Sequence, residues 1–152
     1  MKNYLKLLIL SIAFISITSC KDDEEEIPLC LNYVSLNANI NYVDDTGKDL
    51  IFGDSPVYPH EKIKIYKILA NDEPSLISFT INKDSKCLIV PLSYEENGTF
   101  YIELKPGVTD KITHTAKINE NSPCGEYKLI DIKQNDLLGQ YNEKTQVWTL
   151  KK

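Results

Sequence analysis

The sequence predicts an all-β protein, an antiparallel β-sandwich of about eight short strands. Three observations carry that reading. Apolar residues recur at every second position in several windows, the period of a half-buried strand. Turn signals built from Gly, Pro, Asn and Asp separate most of those windows at spacings of roughly 8–15 residues. No window keeps a convincing 3.6-residue period over ten residues, so an amphipathic helix has no footing.

The first strand is read from Val34, Leu36, Ala38, Ile40 and Tyr42, which alternate with Ser35, Asn37, Asn39 and Asn41. One face of such a strand packs and the other stays wet. Asp44-Asp45-Thr46-Gly47 then marks a turn. The segment 49–60 holds Gly53, Pro56 and Pro59 and reads as the longest loop. Ile63 and Ile65 alternate with Lys62 and Lys64, and the runs 76–81 and 87–92 follow as short strands. Asn97-Gly98 is a hairpin dipeptide leading into 99–104, and Pro106-Gly107 is a second turn. Ile112, His114, Ala116 and Ile118 alternate next. Tyr127, Leu129 and either Ile130 or Ile132 form another strand, and 147–150 closes the set. The sandwich is expected to be immunoglobulin-like.

The N-terminal residues are a separate object. Lys2 and Lys6 precede an almost unbroken apolar stretch from position 7 to 17, and Thr18 and Ser19 lead into Cys20. That is the layout of a secretory signal, and the apolar run is too short for a permanent span. Ile17-Thr18-Ser19-Cys20 resembles the lipobox of bacterial lipoproteins. The resemblance implies cleavage before Cys20, diacylation of its thiol and acylation of the new amine. Several acyl chains anchor stably where one alone is marginal. Lys21-Asp22-Asp23 directly follows, and a Lys with two acids after the lipidated Cys is similar to the surface-export signal of Bacteroidota lipoproteins. Read as chemistry alone, the acidic run from Asp22 to Glu26 is a solvated tether extended by its own repulsion. The expected organisation is therefore a signal peptide at 1–19, a lipidated Cys and tether at 20–28, and a β-sandwich domain at 29–152.

The folded part also resembles a group of small Bacteroidota surface lipoproteins of no known activity. The match rests on Gly47-Lys48-Asp49-Leu50, Ile63-Lys64-Ile65-Tyr66 and Cys124-Gly125-Glu126-Tyr127. It implies a location at the outer membrane, facing the cell exterior or else the periplasm, and a β-rich fold. It implies no mechanism.

Composition narrows the function. The chain has 152 residues, 17 Lys and no Arg against 22 acids, a formal net charge of −5 and 42% hydrophobic residues. A packed core is within reach. An acidic chain without Arg is a poor partner for nucleic acid, which needs a basic face. Asp44, Asp45, Asp49 and Asp54 cluster around Gly47, yet their spacing is not that of an EF-hand and Lys48 stands among them. The simpler reading is a turn whose Asp side chains bond their own backbone. His60 and His114 lack any metal-ligand spacing, so no metal and no cofactor is expected. Neither lies in a recognisable nucleophile motif, so no enzyme is expected either.

In an oxidising compartment, with Cys20 lipidated, Cys30, Cys87 and Cys124 leave one bridge and one spare thiol. Cys30 and Cys124 both stand just outside alternating runs and are the favoured pair, and Cys87 reads as a small buried hydrophobe. Phe52, Tyr58, Tyr94 and Tyr141 fall in loops and are candidates for a recognition patch. The expected partners are the membrane, through the lipid, and a protein or a glycan.

Overall fold

The structure, a computed structural model, describes residues 35–120, 122 and 124–152. The signal segment, the lipobox with Cys20, the run Lys21-Asp22-Asp23 and Cys30 lie outside the described residues. Eleven strands form among the described residues: β1 (Asn37–Val43), β2 (Lys64–Ile68), β3 (Pro74–Leu76), β4 (Thr80–Asn82), β5 (Cys87–Pro91), β6 (Asn97–Lys105), β7 (Val108–Ile118), β8 (Tyr127–Gln134), β9 (Leu137–Leu138), β10 (Gln140–Asn142) and β11 (Val147–Lys151). The only helical element there is one 3-10 turn, His60–Lys62. No helix among the described residues is long and apolar enough to cross a membrane.

The strands make two sheets. One has the order β10-β11-β1-β5-β4 and the other β3-β2-β6-β7-β8-β9. They share one core. Ala38, Ile40, Tyr42, Leu88, Val90, Trp148 and Leu150 come from the first sheet, and Ile65, Phe100, Ile102, Leu104, Ile112 and Ile132 from the second. The fold is thus a β-sandwich. Alternation decides the inner faces, as in β1, where Ala38, Ile40 and Tyr42 are fully buried and the intervening Asn side chains are not. Each fully buried aliphatic or aromatic side chain contributes roughly 1.5–3 kcal/mol.

The immunoglobulin-like arrangement does not follow from this strand order. Constant-type immunoglobulin sheets pair their strands antiparallel throughout. Here β1 runs parallel to β11 at the centre of the five-stranded sheet, with Ile40 opposite Trp148 and Tyr42 opposite Leu150. A parallel neighbour needs a long crossover, and nearly the whole domain supplies it.

Other details correct the sequence reading. The strands number eleven rather than about eight. The run 76–81 is not one strand: β3 belongs to the six-stranded sheet and β4 to the other, so the chain changes sheets between them. Asn97-Gly98 is not a turn, because Asn97 pairs with Thr115 and Gly98 with His114 inside β6 and β7. Two short edge strands, β9 and β10, are too short to show a period in the sequence. Asn135 and Asp136 join β8 to β9 with φ of 48° and 70°, the positive pair that a type I′ turn demands. Pro106-Gly107 does turn β6 into β7, with Gly107 at φ 79°.

Candidate functional site

A concave feature with chemistry in it lies between the sheets near β3, β5, β6 and β7. It is a cleft of about 350 Å³. Strand alternation puts Ile112, His114 and Ala116 on the inner face of β7, and His114 is 5% exposed. Its ring takes the place of a missing neighbour. A Cβ on Gly98, its register partner, would stand 2.3 Å from His114 Cε1, so only glycine tolerates the ring there. The ring also meets Phe100, with centroids 6.3 Å apart at 47°. Both imidazole nitrogens are buried without a hydrogen-bond partner.

Burial pushes the His114 imidazole below its ordinary value, against the opposing pull of the Glu95 and Asp131 carboxylates. The unfolded chain, with a value near 6.5, therefore takes up this proton first as pH falls. Stability from the neutral ring is complete above that value and is lost as pH drops toward the folded one, at most about 1.4 kcal/mol per pH unit. Thermal melts between pH 7 and pH 5 are expected to fall more steeply for the native chain than for His114→Phe. Equal slopes would show that His114 does not carry the dependence.

A nucleophile near the ring would suggest catalysis. Ser93, Thr99 and Glu95 line the same cleft, but the imidazole bonds none of them. Among the described residues, His114 forms no hydrogen-bonded relay of nucleophile, base and orienting acid. His60 is elsewhere, in the 3-10 turn, with Nε2 3.1 Å from Glu61 Oε1 and its ring stacked on Phe52. Among the described residues no group of three or more His, Cys, Asp or Glu side chains is placed to hold a metal ion.

The acidic loop is built as the simpler reading expects. Asp44 Oδ1 accepts from the Thr46 and Lys48 amides at 2.8 and 2.9 Å and from the Thr46 hydroxyl at 2.6 Å. Those bonds hold the exposed carboxyl below its ordinary value. Asp49 Oδ1 caps the Ile51 and Phe52 amides. The carboxylates shape the loop.

A second groove, about 520 Å³, runs past Tyr127, Tyr141 and Trp148. Amide side chains of Asn37, Asn39 and Gln146 and the carboxylate of Glu126 line it too. Tyr141 is 47% exposed and lies 4.8 Å from the Trp148 ring centre to centre. The four loop aromatics do not form one patch. Tyr58 is core, Phe52 packs against the core, and only Tyr94 and Tyr141 are exposed.

Sequence reasoning missed a third feature. Asp110, fully buried, accepts from Gln134 Nε2 at 3.0 Å, from Asn135 Nδ2 at 2.8 Å and from Lys152 Nζ. The Tyr42 phenol faces this carboxylate without a hydrogen bond of acceptable geometry, and burial first, then Asp110, pushes its ionisation well above the usual range. The partners stand 24 to 42 residues away along the chain, so no local pattern announces them.

Cys124 is disulfide-bonded and Cys87 is a free, buried thiol whose ionisation burial pushes up. The partner of Cys124 lies outside the described residues.

No protein-family model matches this chain, and no curated protein or solved structure matches it either.

Proposed function

We propose that this chain is a lipid-anchored binding or accessory module of the outer membrane, exposed on the cell surface and acting without catalysis. The anchoring and address rest on Cys20 and Lys21-Asp22-Asp23. The binding role rests on one structural observation. Strand β9 ends the six-stranded sheet, and Leu137 and Leu138 on it are 74% and 64% exposed. No strand among the described residues pairs with its outer side. An edge with unpaired amides and carbonyls is a template for another strand, and proteins guard such an edge by keeping it very short or with charge or proline. β9 is short, at two residues, but carries neither charge nor proline. Two adjacent exposed leucines do the opposite. The fitting partner is an extended protein segment with apolar side chains, added beside β9.

The test uses a photoreactive residue in place of Leu138 in living cells. A discrete protein adduct is expected, and Leu137→Lys in the same chain should remove it. An adduct of equal yield from Asp72, exposed between β2 and β3 at the opposite edge of that sheet, would defeat the reading.

A second reading, a glycan-binding accessory of a nutrient-uptake system, is favoured by the groove at Tyr127, Tyr141 and Trp148. Aromatic faces beside amides and a carboxylate suit a sugar's apolar faces and hydroxyls. Under that reading Tyr141, not Leu138, makes the contact.

A further inference from the structure

We propose that the cleft over His114 is a binding site for a small uncharged molecule with an apolar body and one amide or hydroxyl head. The proposal does not depend on β9, so either can fail alone. Its volume, about 350 Å³, falls in the range of small-molecule pockets, about 300–1,000 Å³.

The walls set the body of the ligand. Leu76, Ile77, Leu92 and Phe100 give apolar surface, and Leu76, 75% exposed on the edge strand β3, forms the lip. An exposed leucine beside a half-apolar cleft gains by being covered.

His114 sets the head. A neutral imidazole has one N–H and one lone pair, and here both are buried and unmet. Buried groups left unpaired are costly, so a partner for either nitrogen is favoured. The ring lines the cleft with its Nδ1–Cε1–Nε2 edge lying over Gly98, and terminal χ2 torsions are broad, so a turn of the ring presents a nitrogen to a ligand there. An amide or hydroxyl both donates and accepts, so it matches either nitrogen.

The surrounding charges argue against an ionic head. Lys67 and Glu95 line the cleft with opposite signs, and Asp131 acts on His114 from β8. An anion meets two carboxylates. An ammonium is drawn by the same carboxylates, but it meets Lys67 and exchanges its full hydration for a single lone pair.

Three probes share one apolar body: isovaleramide, isovalerate and isopentylammonium. The full mature chain in lipid nanodiscs, labelled with ¹³C-histidine, reports binding through the His114 Cε1–H resonance, with His60 as the internal reference. Isovaleramide is expected to shift His114 saturably and leave His60 unmoved, and the two ions should bind at least tenfold more weakly. Leu92→Trp, which fills the cleft, should abolish the shift, and Ile77→Trp serves the same purpose if the first variant does not fold. No saturable shift in the native chain, equal binding of either ion, or a shift that survives the filled cleft would each overturn the proposal.

Discussion

Asp110→Ala is expected to destabilise the domain by about 3 kcal/mol or more, a shift of roughly 10–15 °C in Tm. The carboxylate is fully buried and holds Gln134, Asn135 and Lys152 together. Removing it leaves two amides and an ammonium without their acceptor. Breaking a buried pair costs about 3–5 kcal/mol. The Lys152 side chain is 26% exposed, so water recovers part of its share and the lower end applies. The double variant Asp110→Ala with Lys152→Ala should lose less than the two single losses combined, because no charge is then stranded. Additive losses, or a single loss below about 1 kcal/mol, would show that the cluster is not a unit.

The second large effect belongs to the disulfide. Cys124 is bonded and Cys87 is free. With Cys20 assigned to lipid, we propose Cys30 as the partner. A loop of nearly a hundred residues gives about 4–5 kcal/mol by chain entropy. That is a large part of the usual 5–15 kcal/mol of a domain. Reductant and Cys124→Ser should lower Tm alike, and Cys30→Ser should match them. Cys87→Ser should cost only about 1–3 kcal/mol, the penalty of burying a hydroxyl, and respond to reductant as the native chain does. A non-reduced peptide map linking Cys124 to any residue but Cys30 would refute the pairing.

The sequence carried the sandwich because strand faces are a local property. Alternation placed Ala38, Ile40 and Tyr42 inside, and the Asp44 turn was readable because its side chain bonds residues two and four positions on. Features set by tertiary contact were not readable. Gly98 resembled a turn glycine, but its purpose is to admit the His114 ring from the next strand. β9 has two residues, too few to show a period, and its turn is Asn-Asp rather than Asn-Gly. The His114 cleft needs residues from β2, β3, β5, β6 and β7. The strand pattern around His114 leaves a packed or an edge residue open, and the fold buries it in β7, inside the sheet. The pattern could not show that both nitrogens go unpaired.

A binding role at the cell exterior depends on where this domain is displayed. Protease added outside intact cells should digest the domain in the native strain. It should spare much of it when Lys21, Asp22 and Asp23 are all replaced by Ala, and Cys20→Ala should leave the chain unlipidated and off the surface. Full protection of the native domain until the outer membrane is breached would contradict a surface-exposed binding module.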